Sequence, residues 1–248
     1  MLAEYPADFH IHTCLSPCAD DEMIPVNILN MAELMGTKIL GICDHNSAGN
    51  VKAVLKVAQD YEILVLPGME VQSVEEVHML CFFESLYQIL EWQEYVYRYL
   101  PPIQNDPRYF GHQWFIDSQG NIIGEENRML MGSTSLTVEE ISQKVSELKG
   151  LLIPAHVDRR HYSIIGQLGF IPETLKIDAV EFSKAISEAD FRKTFCDMNK
   201  YTLITSSDAH CLQEMVYQKT FFRIESLNFK EVMMAFKDLE GRKVLIKD

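Results

Sequence analysis

The sequence predicts an α/β fold of short parallel strands with helices packed outside them. Three observations point there. Short apolar runs alternate with stretches of helical periodicity through the N-terminal half. Several of those runs end in histidine, aspartate or glutamate. These polar residues are spread from Asp8 to His210, so a closed scaffold is needed to gather them. In parallel α/β barrels the site is assembled from successive strand ends on one face, so the placement bears on fold and function together.

Ala7–His10 reads as a strand. Pro25 to Met35 reads as a helix, with Ile28, Met31, Ala32 and Met35 at i, i+3, i+4 and i+7 and Gly36 as its C-terminal cap. Lys38–Cys43 is a buried strand, followed by a helix from about Ser47 to Tyr61. Ile63–Leu66 is the next strand, stopped by Pro67-Gly68, and Val77–Phe83 is another. This βαβα order predicts parallel pairing.

From about residue 99 to 134 the rhythm breaks. Pro101-Pro102 and Asp106-Pro107 open a polar stretch, and Trp114 to Ile123 has the pattern of a hairpin around a Gly-containing turn. A segment of roughly 35 residues is too short for its own core, so the chain reads as one domain, 1–248, carrying an inserted lid or excursion. Regularity returns at Thr137, whose partner Glu140 completes a capping box. Val138, Ile141, Val145 and Leu148 mark one helical face, and Gly150 closes it. Leu151–Pro154 leads into His156, Ile177–Phe182 is a strand, and Leu203–Thr205 leads into Ser206-Ser207-Asp208. Thr220–Ile224 is a late strand, with a last helix from about Asn228 to Leu239.

A chain of 248 residues that is 47% hydrophobic and 23% charged has ample core for such a fold. Its net charge of −14 argues against a broad nucleic-acid-coating surface, which needs a basic face. A nucleotide or short oligonucleotide held by a few local cations and metals remains compatible with it. The opening Met1-Leu2-Ala3-Glu4-Tyr5-Pro6 lacks the basic start and apolar core of a secretory signal, and no apolar run has the length of a membrane span. A cytoplasmic location follows as the expectation, with most of the six cysteines (14, 18, 43, 81, 196 and 211) as small buried apolar groups.

The chemistry sits in short motifs: Asp8-Phe9-His10-Ile11-His12, Asp44-His45, Glu70 followed by His78, His156-Val157-Asp158, and Ser207-Asp208-Ala209-His210. Neutral imidazole and carboxylate oxygen bind zinc, manganese and iron. His10 and His12, two apart on a strand, share a face and can share a metal. Taken singly each motif has an ordinary structural explanation. A lone histidine in an apolar run such as VHMLCFF is usually a satisfied core residue, and an aspartate entering a turn is common. Their joint occurrence at strand ends favours a multinuclear metal hydrolase. His112 and His161 have no such context.

FHIHT, CDHNS, PGMEV, PAHVD and SSDAH, in this order, resemble the PHP family, named for polymerase and histidinol phosphatase, and most nearly its small stand-alone members. The resemblance covers essentially the whole chain outside 99–134. It implies a distorted (β/α)7 barrel with two or three divalent transition metals (Zn, Mn or Fe) at the C-terminal ends of the strands. By motif, His10, His12, Glu70 and Asp208 would hold one metal, and Glu70 would bridge to a second held by His78 and His156. His45 and His210 would hold a third with one ligand from the loop after His12. Histidinol phosphatases have a histidine some eight residues after His10, where this chain has Cys18; a carboxylate serves in other branches. Asp20 is the first choice for this ligand, then Asp21, then Cys18.

The implied reaction is phosphoester hydrolysis through metal-activated water, on a small phosphorylated metabolite, a nucleotide or an oligonucleotide end. Asp44 or Asp208 would orient a histidine or accept a proton. Arg159, three residues beyond His156, would hold phosphate with its planar fork, with Arg160 the weaker candidate. Two other readings remain open. An amidohydrolase also begins with HxH, but often bridges its metals with a modified lysine where Glu70 stands here. A non-catalytic PHP module would be expected to have lost ligands. Oligomeric state is not legible.

Overall fold

The computed structural model describes residues 1–216 and 219–247; Tyr217, Gln218 and Asp248 lie outside the described residues. Its strands are β1 (Ala3–Ile11), β2 (Ile39–Ile42), β3 (Leu64–Gln72), β4 (His78–Phe82), β5 (Trp114–Ile116), β6 (Ile122–Glu125), β7 (Leu151–Pro154), β8 (Val180–Phe182), β9 (Leu203–Thr205), β10 (Thr220–Ile224) and β11 (Lys243–Ile246). Seven of them form a curled half-barrel sheet in the order β11-β10-β1-β2-β3-β4-β7, and β8 and β9 pair separately, in parallel. Backbone bonds tie this pair to β7, at one edge of the sheet, and to the end of β1 within it. Asp178 N donates to Leu152 O and Val157 N to Glu181 O beside β7, while His12 N donates to Ala209 O and Ala209 N to His10 O beside β1.

Within the seven-stranded sheet, parallel pairing holds for β1, β2 and β3 but not beyond. The link from β3 to β4 is a short turn with no helix, so β4 runs antiparallel to β3 and to β7. This reversal places His78, at the start of β4, opposite Gln72 at the end of β3. The site edge is thus built from ends of both polarities, not from C-terminal ends alone. Nor does β3 stop at Pro67-Gly68. The Pro67 carbonyl accepts from Phe83 N at the far end of the β3–β4 ladder, where a missing proline N–H costs little.

The helices are α1 (Pro25–Met35), α2 (Val51–Val57), α3 (Leu86–Tyr99), α4 (Pro107–Phe110), α5 (Val138–Glu147), α6 (Ile164–Leu168), α7 (Glu188–Thr194) and α8 (Phe229–Phe236). Helix α1 ends at Gly36 with φ 75°, and α5 opens with the Thr137–Glu140 capping box, both as the sequence predicts. Helix α2 is shorter than expected because Ser47 and Asn50 are spent on loop contacts. Ser47 accepts from Tyr97 Oη, and Asn50 joins Thr13 to the backbone of Trp114 and Ile116. Helix α3 was not anticipated, although Ser85 caps it and Ile89, Trp92 and Val96 form its buried stripe. Strand β11 was not anticipated either.

The 99–134 segment contains the expected hairpin, β5–β6, and the short α4. It packs on the loop after β1 through Leu15, Leu100 and Leu130. Asn46 of the CDHNS motif clamps it. The Asn46 side chain donates to the carbonyls of Leu130 (2.7 Å) and Gly132 (2.8 Å) and accepts from Gln72 N (3.1 Å). No helix among the described residues is long and apolar enough to cross a membrane.

Under the site lies an aromatic cluster in which Phe9 stacks on Phe222 (5.1 Å) and meets Phe82 edge-on (5.5 Å). Gly41 lets the strands close over it, since a Cβ there would lie 2.5 Å from Phe9 O and 2.7 Å from Phe82 Cε1. Gly41→Ala should therefore overpack this cluster and cost about 1–3 kcal/mol. Urea unfolding read by circular dichroism checks this; an unchanged midpoint would mean that the Phe82 ring yields freely.

Candidate metal centre

Glu70 is the hub. It lies on β3, 1% exposed, and its two oxygens face imidazole nitrogens from several strand ends. Oε1 is 2.8 Å from His78 Nδ1, 3.3 Å from His10 Nε2 and 3.5 Å from His156 Nε2. Oε2 is 2.9 Å from His45 Nδ1 and 3.5 Å from His12 Nε2. Asp208 approaches from the other side, with Oδ1 3.2 Å from His10 Nε2, 3.6 Å from His12 Nε2 and 3.7 Å from His210 Nδ1. Burial alone would raise the Glu70 carboxyl, but His78, His10 and His45 hold it well below the usual range. Asp208 is likewise held low against its burial, first by His10 and then by the neighbouring His12.

Neighbouring groups select one tautomer for several of the rings. Ser16 Oγ donates its single proton to Asp44 Oδ1 (2.8 Å), so toward His12 Nδ1 (2.9 Å) it can only accept. His12 Nδ1 therefore carries the proton and Nε2 the lone pair. His10 Nδ1 faces the carboxylate of Glu181 at 3.0 Å, so that nitrogen carries a proton; against its burial, Asp208, Glu181 and Glu70 raise the ring's pKa well above its usual value, and Nε2 would offer a lone pair once a metal takes its proton's place. His210 Nδ1 lies 2.9 Å from the Asp208 carbonyl, an acceptor, with the same result. Burial and then the adjacent His210 and His45 push His12 well below its usual pKa, toward the neutral ligand form.

These residues fit divalent metal. His10 Nε2 and His12 Nε2 are buried with no hydrogen-bond partner, and both are aimed at carboxylates. Three overlapping groups (His10, His12 and Asp208; His45, Glu70 and His78; His12, His45 and His210) each bring ligand atoms within 4.8 Å of one another. Such nitrogen and oxygen sets suit zinc, manganese or iron.

Of the residues singled out in the sequence, His10, His12, His45, Glu70, His78, His156, Asp208 and His210 are thus brought together. Asp20 is not among them. Its side chain is exposed and does not line the pocket, while its backbone pins the loop, N–H to the His210 carbonyl and C=O to Met23 N. Asp21 is occupied by Trp114 Nε1 (3.1 Å). Cys18 is the residue of this loop that reaches the pocket, in hydrogen-bonding contact with His210 and His45. Partial desolvation opposes ionisation of its thiol, but those two contacts outweigh it and draw the pKa down to about 6.

Asp44 is not open to substrate either. Its oxygens accept from Thr13 N (2.7 Å), Thr13 Oγ1 (2.7 Å) and Ser16 Oγ (2.8 Å), so it orients His12 through Ser16 and is not placed as a proton acceptor. Asp158 is spent on Ser183. Arg159 lines the pocket, with Nη2 2.7 Å from Asp208 Oδ2, whereas Arg160 and His161 are exposed outside it. His112 stacks on Trp114 in the inserted segment.

Several contributors escaped the sequence reading. Glu181 Oε2 holds both His10 Nδ1 and His156 N (3.1 Å); the available signal was an acid between the buried Val180 and Phe182 of the run IDAVEF. Ser16 gives no sequence signal. Tyr162 stacks on His78 at 4.9 Å, and Gln72 and Met131 complete a pocket of about 220 Å³.

No protein-family model matches the chain. The structure is similar to the lesion-specific endonuclease PfuEndoQ from Pyrococcus furiosus, with a TM-score of 0.74 and 25% identity over 98% of this chain and 58% of that one. It shares its fold with a two-domain protein from Bacteroides vulgatus that contains a predicted PHP-like metal-dependent phosphoesterase (TM-score 0.57, 13% identity, 98% of this chain and 64% of that one). The uncharacterized protein YqxK of Bacillus subtilis (strain 168) is 30% identical over 110 residues, 42% of this chain and 28% of YqxK. The chain thus spans little more than half of PfuEndoQ and under a third of YqxK. The chain thus shares its fold with an endonuclease and with a PHP-like metal-dependent phosphoesterase, and on that fold the histidines and carboxylates of its five motifs gather at one edge.

Proposed function

We propose that this chain is a metal-dependent phosphoesterase that hydrolyses a phosphodiester of a nucleic-acid strand. One observation carries the reading. Around Glu70, the rings of His10, His12 and His210 each turn Nδ1 to an acceptor, which keeps Nε2 free for a metal, and Arg159 stands at the rim. His10, His12, Glu70 and Asp208 would hold one ion, Glu70, His78 and His156 a second, and His45 and His210 part of a third. Bound there, divalent ions would polarise phosphoryl oxygens and make a nucleophilic water available near neutral pH. The bonds joining β8 and β9 to β7 and β1 support reading the scaffold as a distorted seven-stranded barrel.

The protein groups have separable tasks. Glu181 and Ser16 hold His10 and His12 in register. Arg159 spends one N–H on Asp208 and keeps others for a phosphate oxygen. The nucleic-acid substrate is favoured by the likeness to a lesion-specific endonuclease along nearly the whole chain. A second reading, a small phosphorylated metabolite, is favoured by the net charge of −14 and by a pocket of about 220 Å³ in which Arg159 is the one guanidinium among the described residues.

Metal-loaded protein should cleave lesion-containing or plain oligonucleotides, lose that activity on chelation, and regain it with manganese or zinc. Turnover of phosphomonoesters alone would favour the second reading. Turnover of amide or lactone controls alone would favour an amidohydrolase, and no turnover with metal bound would favour a non-catalytic module.

Arg159→Ala should raise KM by roughly 10- to 100-fold, the equivalent of one charge-assisted hydrogen bond of about 1.5–3 kcal/mol. Steady-state kinetics check this, and an unchanged KM would remove Arg159 from substrate binding. Glu181→Ala should weaken metal binding by about 10- to 100-fold, because His10 loses the acceptor that orients it. Calorimetric titration is the measurement, with Glu181→Gln, which keeps an acceptor, expected to fall between the two.

A further inference from the structure

We propose that the Cys18 sulfur is a metal ligand, completing with His45 and His210 the third metal site, so that this site is a thiolate site. The inference rests on the metal-hydrolase reading and replaces the carboxylate the sequence favours. Its first support is the course of the loop after His12. Ala19 N bonds to Ser16 O (2.9 Å), Asp20 N to His210 O (2.8 Å) and Cys14 N to Met23 O (3.0 Å). This path fixes the chain against the His210 backbone and brings Cys18, which like Asp20 is exposed, to the rim of the pocket beside His45 and His210, a pocket that Asp20 does not line.

The second support is independent of the cysteine. His12 is fully buried, its Nε2 has no hydrogen-bond partner, and it forms with His45 and His210 a group whose ligand atoms lie within 4.8 Å. Its ring lies 4.2 Å from that of His210 and 4.6 Å from that of His45. A buried lone pair facing two further imidazoles suits a cation, and Cys18 lines the pocket beside His45 and His210, where its sulfur is a further donor. A thiolate changes what the site selects. Sulfur favours zinc over manganese, whereas the nitrogen and oxygen donors around Glu70 and Asp208 accept either. The proposed metal set is therefore mixed in character, one sulfur-ligated ion beside two without sulfur.

The test is a titration of metal-free protein with cobalt(II), read by absorption, which needs no substrate. Wild type should develop a near-ultraviolet sulfur-to-cobalt charge-transfer band with one of its cobalt equivalents. Cys18→Ser should lose that band and bind that equivalent at least about 100-fold more weakly, since even the loss of an outer-shell partner costs 10- to 100-fold. Cys18→His should lose the band yet keep the equivalent, which a merely structural role for Cys18 would not give. Cys211→Ser, next to His210, should keep the band; its loss there, with retention in Cys18→Ser, would overturn the assignment. Cobalt uptake without a band in wild type would overturn the thiolate ligand alone. No cobalt uptake at all would overturn both this and the metal-hydrolase reading.

Discussion

The constraint on which the rest depends is the burial of one carboxylate. Glu70 is ionised in the interior, and an isolated buried carboxylate costs several kcal/mol even after relaxation. Its charge is met by the rings of His78, His10 and His45, with His12 and His156 close by. Those rings come from β1, from the turn after β2, from β4 and from the loop after β7, so satisfying Glu70 and curling the sheet are one requirement. A hydrophobic cluster of the same volume would stabilise the fold as well or better. Keeping charge and imidazole here therefore argues for a site retained for its chemistry.

Backbone conformation carries part of the same cost. His156 has φ 31° and Asp208 φ 51°, left-handed values that an ordinary L-residue adopts at about 1–3 kcal/mol. Both follow short buried strands, and both are held by bonds to neighbouring chain. His156 N donates to Glu181 Oε2, and Ala209, next to Asp208, bonds in both directions to β1. A glycine at either position would relieve the strain and lose the ligand. From these conformations His156 reaches Glu70 and Asp208 reaches His10 and His12.

Much of this was legible in the sequence because it was written in local pattern. The helix at Pro25–Met35, the capping box at Thr137 and the hairpin in the inserted segment depend on neighbours a few residues apart. The ligand residues were legible because histidine and acid at the ends of apolar runs are rare without a use. What was not legible depends on contacts distant in sequence. The reversal of β4 depends on the brevity of one turn. The shortening of α2 depends on Asn50 reaching Trp114, and the exclusion of Asp44 from the pocket on Thr13 and Ser16. Choosing Asp20 over Cys18 relied on carboxylates being commoner ligands in this role. The loop path, pinned by the Asp20 N–H on the His210 carbonyl, brings Cys18 and not Asp20 to the pocket, and no spacing rule contains that bond.

The charge balance gives the site its character. A chain of net charge −14 repels polyanions over most of its surface, and steering toward a phosphate must come from short range. Within the pocket the described cation is Arg159, and it is already half engaged with Asp208. On the proposed function, the attraction for phosphate therefore has to be supplied by the bound ions. Neutral imidazoles add no charge of their own and leave those ions more positive than a carboxylate-rich shell would. A site with eight of its nine assigned protein ligands drawn from histidine, Glu70 and Asp208, and at most one from sulfur, keeps most of the ions' charge available to the phosphate. The acidic surface then works as a filter: a strand or metabolite is held where its phosphate meets the ions, and little is held elsewhere.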